Sequence, residues 1–372
     1  MPALSDVVDL LHGWYPPSTA GDWDRVGLVS GDLDQPVHRV LFAVDPTLAV
    51  AEEAASWGAD LLVVHHPLFL KGVHGFTTAT PKGRTLTTLV RAGCALLTAH
   101  TNADAAQGGV SDAMAQALGL RTPRPILPSP GEARDALAVY VPAGQADLMR
   151  GVLAEAGAGR IGDYDQASFS SVGEGRFRPL EGAAPTIGTV GAAEVVAEDR
   201  IEVVLPRRLR ARVVAAMLAA HPYEEPAYSL VELADPGLVA TGTGRIGEVE
   251  PCTLAEFAAR IRDALPATVG GVRVAGDPTR VVRRVALCGG AGDFLLDRLA
   301  ASDADVYVTS DLRHHLAGKF VEHGGPALVD VAHWAAEWTW LPVVEARLRA
   351  ALGDTVSTRV STLCTDPWTF RP

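Results

Sequence analysis

Residues 60–69 of the chain read DLLVVHHPLF, an apolar run followed directly by two histidines and a proline. A strand is predicted at Asp60–Val64, and its run from Leu61 to Val64 shows no polar alternation, which indicates burial on both faces, as in a parallel sheet. Helices and strands are predicted to alternate around it, as a parallel sheet with crossover helices requires. These neighbours are a strand at His38–Val44, helices at Thr47–Trp57 and Lys82–Ala92, a strand at Cys94–Thr98 and a helix at Gly109–Leu118.

The same alternation returns in the last third of the chain. Strands are predicted at Arg283–Cys288, Asp305–Val308 and Ala327–Val331, and helices at Phe294–Ala300, Leu312–Glu322 and Ala335–Leu352. The glycine-rich residues 289–292 (GGAG) predict a tight strand-to-helix turn, whose backbone amides could alternatively hold a phosphate group. We therefore predict an α/β fold in which two βα-repeat halves form one domain with mostly parallel sheets.

The middle of the chain has a different pattern. Residues 122–130 contain four prolines in nine residues, which marks a domain boundary. After it the elements follow the order βαββαβ, that of a ferredoxin-like α+β unit. The predicted domains are the first half of the α/β domain at residues 1–124, an inserted ferredoxin-like domain at 132–236, and the second half at 237–372. The inserted strands are predicted at Leu137–Val141, Ala167–Val172, Arg200–Leu205 and Tyr228–Leu233, and the helices at Gln145–Glu155 and Leu209–Ala220.

The composition argues against several classes of protein. The chain has 372 residues, of which 48% are hydrophobic, enough for about two or three domains with ordinary cores. Its formal net charge of −12 disfavours a broad nucleic-acid-binding surface. No signal peptide and no membrane-spanning apolar run is recognisable. The four cysteines form no CxxC pair, which argues against a disulfide framework and against a thiolate zinc site. Together these features indicate a cytoplasmic protein.

Polar residues that suit metal chemistry follow four of the predicted strands. Ligands of open parallel sheets bind at the carboxyl ends of the strands, so these positions are the candidate site. A lone histidine is more often a core residue that bonds to the backbone, but six of the eleven histidines lie at these strand ends, mixed with carboxylates. This concentration favours a functional site. The candidates are His65, His66, His100, Asp104, Asp311, His314, His315, His333 and Glu337.

Spacing sharpens the prediction of a metal site. His333 and Glu337 are four residues apart at the start of a predicted helix, so both side chains lie on one face and could share one ion. His65 and His66 are adjacent, and their side chains diverge from an extended backbone, so two neighbouring ions would use both. Asp104 could lie beside them in a dinuclear site. Imidazole and carboxylate ligands suit zinc, iron, manganese, cobalt or nickel, and the residue types do not choose among these metals. Two such ions would attract an anionic substrate and favour hydrolysis.

Three stretches resemble the signature blocks of one family, the NGG-interacting-factor-three-like family, often labelled GTP cyclohydrolase I type 2 homologs. They are residues 60–69, residues 100–110 (HTNADAAQGGV) and residues 330–337 (DVAHWAAE). Residues 23–28 (WDRVGL) and 308–315 (VTSDLRHH) are similar to further blocks of the family. The resemblance spans both halves of the chain.

The inserted segment resembles the extra domain of the longer bacterial members of this family. That domain is akin to the copper-tolerance and nitrogen-regulatory trimer folds, and it carries a string like residues 221–228 (HPYEEPAY). Taken as residues alone, this string is either a peripheral site or subunit contact, or a turn between a helix and an edge strand. The turn is the favoured interpretation.

The resemblance implies a ligand set and an assembly. It implies that two divalent metals are bound by His65, His66, Asp104, His333 and Glu337. It also implies ring-shaped homohexamers with the metal sites facing a central cavity. Four further residues are interpreted either as catalytic partners that orient ligands or donate protons, or as residues that satisfy backbone groups at the sheet edge. These are His100, Asp311, His314 and His315.

Two functions follow from these expectations. The first is a metal-dependent hydrolase that acts on a nucleotide-like or phosphorylated small molecule, with ring opening of GTP as the version that the family label suggests. The second is a non-catalytic ring that serves as a metal-binding scaffold or regulatory adaptor, which the insert's resemblance to regulatory trimers favours. Neither hypothesis involves a membrane or a nucleic-acid partner.

Overall fold

The structure, a computed structural model, describes residues 1–162, 164–234 and 238–372. The chain divides into two compact units: Met1–Ser129 together with Ala240–Pro372, and Pro130–Val239. The predicted boundary segment, residues 124–132, contains the first change of unit. The predicted boundary between residues 236 and 237 lies outside the described residues.

The helices are named in chain order. They are α1 (Leu4–Trp14), α2 (Leu48–Trp57), α3 (Pro81–Arg91), α4 (Thr101–Ala105), α5 (Val110–Ala117), α6 (Ala146–Glu155), α7 (Arg210–Ala220), α8 (Leu254–Ala264), α9 (Leu296–Leu299), α10 (His314–Glu322), α11 (His333–Trp338) and α12 (Trp340–Leu352). None of the helices in the described residues is both long and apolar enough to cross a membrane.

The strands are numbered in the same way. They are β1 (Gly27–Ser30), β2 (Arg39–Ala43), β3 (Leu61–Val64), β4 (Ala95–Thr98), β5 (Arg121–Arg124), β6 (Leu127–Pro130), β7 (Arg134–Pro142), β8 (Phe169–Phe177), β9 (Glu194–Pro206), β10 (Tyr228–Glu232), β11 (Leu238–Thr243), β12 (Arg245–Thr253), β13 (Val272–Ala275), β14 (Val281–Ala291), β15 (Val306–Ser310), β16 (Ala327–Val331) and β17 (Ser357–Val360).

The first unit contains two larger sheets that are parallel at their centres. In the first, with the order β1-β4-β3-β2-β17, every pair is parallel except the one between β1 and β4. In the second, with the order β13-β16-β15-β14-β12-β5, the three strands β14, β15 and β16 are parallel and their outer neighbours are antiparallel. Each predicted half thus provides the parallel centre of one sheet, while the edge strands β17 and β5 come from the opposite half.

The position of the strand end that precedes His65 is determined by a buried apolar strand and by the capped helix before it. All four residues of β3 are buried, which is the reason the sequence shows no polar alternation there. The preceding helix α2 begins where the hydroxyl of Thr47 accepts a hydrogen bond from the amide of Val50, and it ends at Gly58, which has a φ of 71°. This left-handed residue turns the chain directly into β3.

Two predicted elements differ from the structure near the C-terminal half of the site. The turn predicted at residues 289–292 is wrong, because β14 continues to Ala291 and pairs there with β15. The single helix predicted at Ala335–Leu352 is two helices that meet at Thr339. Pro342 explains the break, since its ring cannot lie against the carbonyl of Trp338 in a continuous helix.

The second unit is a four-stranded antiparallel sheet with two helices. Its elements follow the chain order β7-α6-β8-β9-α7-β10, and the strands lie in the order β10-β7-β9-β8. One face of the sheet packs against α6 and α7 through a buried apolar cluster that includes Leu137, Val139, Ile201, Val203, Met149 and Val213. The order βαββαβ agrees with the sequence pattern, and the assignment to the ferredoxin-like fold stays a prediction.

Candidate metal centre

Five of the predicted residues meet at one place in the first unit. His65 and His66 directly follow β3, and Asp104 lies in α4, the short helix after β4. His333 and Glu337 lie one turn apart in α11, which follows β16 of the second sheet. The cluster therefore combines the strand ends of two sheets, from distant parts of the sequence.

Glu337 lies at the centre of this cluster. Its side chain is only 3% exposed, and three imidazoles surround it. Its Oε1 lies 2.7 Å from Nε2 of His333 and 3.4 Å from Nε2 of His65, and its Oε2 lies 3.1 Å from Nε2 of His66. The spacing of four residues between His333 and Glu337 thus brings both side chains to one point, as the helical periodicity predicts.

His65 is the most deeply buried of the histidines, with no exposed side-chain surface. Its Nδ1 lies 2.9 Å from the carbonyl oxygen of Ala99, and its Nε2 lies 3.5 Å from Oδ1 of Asp104. A neutral imidazole that donates from Nδ1 keeps a lone pair on Nε2. The fixed Nδ1 contact therefore directs Nε2 of His65 to the centre, where it can bind either a proton or a metal.

The other imidazoles are oriented by carboxylates on their outer side. Nδ1 of His66 lies 2.7 Å from Oδ1 of Asp45, Nδ1 of His100 lies 2.9 Å from Oδ1 of Asp24, and Nδ1 of His333 lies 2.7 Å from Oδ2 of Asp311. Such carboxylate–imidazole pairs typically fix the orientation of metal-binding histidines and raise their basicity. All four histidines therefore use Nδ1 for an outer contact, which leaves Nε2 for the centre.

Three buried polar atoms at the centre have no hydrogen-bond partner among the residues that the structure describes. They are Nε2 of His65, Oδ1 of Asp104 and Oε2 of Glu337, which lies at ion-pair distance from His66 without a hydrogen-bond geometry. Buried polar atoms are almost always satisfied, and an unsatisfied one calls for a missing partner. Three such atoms on nitrogen and carboxylate ligands fit a divalent cation well, so the donor set agrees with a metal site.

The candidate ligands form two overlapping groups. One consists of His65, His66 and His100, and the other of His66, His333 and Glu337. Within each group the ligand atoms lie within 4.8 Å of one another. His66 belongs to both groups, and the rings of His65 and His66 have centroids 5.1 Å apart. The geometry thus offers two adjacent places for a cation.

The electrostatics of the centre couple the imidazoles to Glu337. Burial opposes the charged form of His66, but the carboxylates of Glu337 and Asp45 outweigh burial and raise the pKa of His66 to about 11. Burial also opposes the charge on His333, and the hydrogen bond and charge of Glu337 overcome it and raise the pKa of His333 to about 9. Without metal, the site therefore holds its carboxylate beside protonated imidazoles.

The two carboxyl groups at the centre respond in opposite directions. Burial acts to raise the pKa of Glu337, but the charges of His65 and His66 hold that pKa well below its ordinary value. Burial raises the pKa of Asp104 to about 6, and His65 opposes this only in part. Metal ions would displace the imidazole protons and stabilise both carboxylates.

Gly290 leaves room for the centre. This residue of β14 has a φ of 69°, and a Cβ atom there would lie 2.6 Å from Oε1 of Glu337 and 3.3 Å from Nε2 of His333. Glycine adopts such a φ without steric cost. Gly290, within the stretch that the sequence presents as a turn, is thus part of the wall against which the ligands pack.

A cavity of about 520 Å³ opens beside the centre. Its walls include His66 and His333 from the cluster, and Trp368 near the C-terminus. Its charged lining consists of Asp45, Asp311, Asp330 and Asp366, together with Arg273. Arg273 is paired with Asp330. The cavity is therefore acidic in the absence of metal.

The family profile described as Duf34/NIF3 (NGG1p interacting factor 3) matches residues 2–367. The chain belongs to the Duf34/NIF3 family. It is 51% identical to a protein of Mycobacterium tuberculosis named GTP cyclohydrolase 1 type 2 homolog, over 98% of this chain and 96% of that protein. A Bacillus subtilis protein of the same name is 37% identical over 98% of this chain and 97% of its own length. A solved structure titled Bacillus cereus protein related to NIF3 matches with a TM-score of 0.78 at 36% identity, covering 100% of this chain and 99% of that one.

In this Duf34/NIF3 chain, the residues predicted as catalytic partners have different surroundings. His100 lies within the cluster, with its ring centroid 5.1 Å from that of His65, and Asp311 holds His333. His314 and His315 begin α10, are exposed and contact each other. Within the described residues, no hydrogen bond or ion pair joins them to the cluster. Their catalytic role stays a prediction.

Two carboxylates of the Duf34/NIF3 site were missed at the sequence level. Asp45 comes two residues after the end of β2, so the strand-end criterion applied to the other strands identifies it as well. Asp24 lies in a loop, within the family-like block at residues 23–28, and nothing in the strand pattern points to it. Its side chain is fully buried and also accepts from the hydroxyl of Thr101 at 2.5 Å.

Proposed function

We propose that this Duf34/NIF3 protein is a hydrolase that uses two divalent metal ions and acts on a nucleotide-like or phosphorylated small molecule. The observation that carries the proposal is the set of unsatisfied buried atoms at the cluster, Nε2 of His65, Oδ1 of Asp104 and Oε2 of Glu337. They face one another among imidazoles whose outer nitrogens are already used. Relatives up to 51% identical are named GTP cyclohydrolase 1 type 2 homolog, and this name supports a nucleotide as substrate.

Two ions account for the donor set better than one. His65, His66 and His100 form one group of ligand atoms, and His66, His333 and Glu337 form the other. Glu337 presents its two oxygens to different imidazoles, so its carboxylate can serve both places at once. Asp104 adds a further buried carboxylate oxygen on the His65 side.

The ions would supply Lewis acidity and lower the pKa of a coordinated water toward about 7. The protein's own residues bind, orient and exchange protons. Asp45 and Asp311 hold His66 and His333 from behind, which fixes the direction of both imidazoles. The carboxylate of Asp24 holds His100 at the edge of the cluster, where Nε2 of His100 is placed to accept or donate a proton.

The charge of the cavity makes substrate binding depend on metal. Four aspartates and one arginine line it, so an anionic substrate is repelled by the metal-free site. Two divalent ions at the cluster carry more positive charge than the protons that they displace, so they make the site less negative. An anionic substrate is therefore expected to bind more tightly when the metal site is filled, which is the arrangement expected of a metal-dependent hydrolase of phosphorylated compounds.

We also propose that the protein assembles as a ring-shaped homohexamer, as its resemblance to the family implies. Multi-angle light scattering on the purified full-length protein tests this directly. A mass near six times 39.0 kDa is expected, and a stable monomer or dimer contradicts the proposal.

Elemental analysis of the purified protein, followed by a hydrolysis screen with the metal found, tests the enzymatic proposal. We expect about two ions per chain, and a stoichiometry reduced to one or less in His66→Ala, because His66 contributes to both groups. Turnover of a nucleotide or phosphoester that is lost in His66→Ala supports the hydrolase. Full metal loading without turnover of any nucleotide, phosphoester or cyclic amide contradicts it and favours the non-catalytic metal-binding scaffold.

A further inference from the structure

The second unit contains a cavity of about 570 Å³ that the metal centre does not use. It lies on the sheet face that the helices leave uncovered. Ser171, Gly173 and Gly175 alternate along β8 and line its floor, opposite Glu198 and Arg200 of β9. Alternate residues of a strand share one face, and cross-strand neighbours share it too. The residues that pack on the helices, such as Ile201 and Val203, have the opposite parity on β9.

Small residues create this cavity. Gly173 and Gly175 carry no side chain, and Ser171 a short one, so the middle of the floor is backbone. A Cβ atom added at Gly173 would meet only the carbonyl oxygen of Glu198, at 3.9 Å. Further side-chain atoms at this position would therefore extend into the cavity without a clash in the sheet.

The string HPYEEPAY closes the cavity on one side. Nε2 of His221 lies 2.8 Å from the carbonyl oxygen of Tyr140, which holds the turn against β7. The carbonyl oxygen of Pro222 accepts from the hydroxyl of Thr186 at 2.6 Å, and Oε1 of Glu224 accepts from the amide of Ala184 at 2.9 Å. These bonds join the turn to the segment after β8. The turn that the sequence predicts is thus also the wall of a pocket.

Three aromatic rings line the pocket around a carboxylate. Tyr140, Phe177 and Tyr223 are half-buried, and the rings of Phe177 and Tyr223 have centroids 6.0 Å apart. The hydroxyl of Tyr223 donates to Oε1 of Glu198 at 3.0 Å. Burial and this carboxylate raise the pKa of Tyr223 to about 12, so the hydroxyl keeps its proton.

The second oxygen of Glu198 remains available. A Cβ atom at Gly175 would lie 2.2 Å from Oε2 of Glu198, which shows that this oxygen lies directly over the glycine floor. No hydrogen bond within the described residues uses it. It can therefore accept an N–H group from a ligand that lies between the aromatic rings.

The rim of the cavity contains three arginines, of which Arg178 forms no ion pair among the described residues. Arg176 is paired with Glu174, and Arg200 with Glu202 at 3.1 Å. Arg178 also lines the cavity and is exposed, and no ion pair or hydrogen bond involves it in the part of the chain that the structure describes. An anionic group of a ligand would find its guanidinium free.

We propose that this pocket, which we call the insert pocket, binds a planar heteroaromatic amine that carries an anionic group, the chemistry of a nucleotide. The ring would pack against Tyr223 and Phe177, an N–H donor would reach Glu198, and the anionic group would pair with Arg178. Cavities of a few hundred Å³ with aromatic walls and few polar groups are typical of small-molecule sites. The site is separate from the metal centre, and the HPYEEPAY string acquires a role in forming it.

Calorimetric titration of the chelator-treated full-length protein tests the insert pocket without the metal centre. The probes are AMP and GMP, with adenosine and inorganic phosphate to separate the ring from the anion. We expect AMP or GMP to bind, and Gly173→Leu to weaken binding at least tenfold because the new side chain fills the floor. Val172→Leu, on the same strand with an exposed side chain of the opposite parity, is the matched control and keeps wild-type affinity.

Two further variants separate recognition of the ring from recognition of the anionic group. Glu198→Gln is expected to weaken AMP and adenosine by a similar factor of about ten, as the loss of one charge-assisted hydrogen bond predicts. Arg178→Ala is expected to weaken AMP and leave adenosine unchanged. The proposal is overturned if no probe binds the chelator-treated protein, or if Gly173→Leu binds as tightly as wild type. It is also overturned if Gly173→Leu changes the oligomeric mass, since the open face would then be covered by another copy of the chain.

Discussion

Replacing Gly290 by alanine tests whether the glycine wall positions the metal ligands. The new Cβ atom would lie 2.6 Å from Oε1 of Glu337, where ordinary contacts begin at 3.4 Å, so the carboxylate must move by about 0.8 Å. Metal–ligand distances tolerate only about 0.2 Å. Because Oε1 is the end of a flexible side chain, the fold can absorb this movement while the metal site cannot. We expect metal affinity to fall about tenfold to a hundredfold.

The backbone cost of the same substitution is measured by a matched control. Gly324 has a φ of 72°, close to the 69° of Gly290, and a Cβ atom there would have no neighbour within 4 Å. Gly324→Ala therefore carries only the left-handed strain, about 1–2 kcal/mol. Metal affinity is measured by competition with a chromophoric chelator, and stability by thermal unfolding. If Gly290→Ala and Gly324→Ala bind metal equally well, Gly290 does not shape the site and the reasoning is refuted.

Three further predictions concern the outer contacts, the protons and the insert. Asp45→Asn is expected to weaken metal binding about tenfold to a hundredfold in the same chelator competition, because it removes the carboxylate that orients His66. Metal uptake at pH 7 is expected to release at least two protons, since the pKa values of His66 and His333 are raised to about 11 and 9 and that of His65 is raised as well. Affinity then rises with pH, and calorimetry in buffers of different ionisation enthalpy counts the protons. Asp135→Asn is expected to destabilise the protein by about 1–3 kcal/mol at pH 7 in denaturant unfolding, because the buried carboxylate binds two arginines, Arg210 and Arg207. The hydrogen bond from Arg210 holds the pKa of Asp135 below its ordinary value of 3.8. The stabilisation by this carboxylate is therefore fully present above pH 3.8 and is lost as the pH falls through the lower pKa of the folded state. If wild type stayed more stable than Asp135→Asn well below that pKa, the explanation would be wrong.

The sequence predicts those parts of the fold that one local pattern determines, such as an uninterrupted apolar run or a helical spacing. β3 is recognisable because all of its residues are buried on both faces, and β16 was predicted with its exact bounds for the same kind of reason. His65 and His66 follow such a strand without an intervening loop, as the sequence indicates, and their role as ligands stays a prediction. His333 and Glu337 were placed by helical spacing alone, although the helix that carries them ends earlier than predicted.

The parts that the sequence does not predict depend on contacts between distant residues. The residues GGA at 289–291 look like a turn because glycine is common in turns, whereas the pairing of Ala291 with Ser310 keeps them in β14, with an irregular register and a left-handed φ of 69° at Gly290. Asp24 reaches His100 across 76 positions of sequence from a loop. His314 and His315 satisfy the same strand-end criterion as His66, yet both side chains are exposed at the start of α10. Proximity to a strand end does not specify the direction of a side chain.

The charges at the centre explain how its buried ligands can lie close together. Glu337 is almost inaccessible, and an isolated carboxylate in such a place would be strongly destabilising. Its pKa stays low because the imidazoles around it carry the compensating protons. Metal ions and protons therefore compete for the same Nε2 atoms, and each can neutralise the same carboxylate. The outer carboxylates of Asp45, Asp24 and Asp311 hold the imidazoles of His66, His100 and His333 from behind. What the metal changes is the charge seen by the cavity, because divalent ions that replace protons make the centre less negative and so more favourable to an anionic substrate.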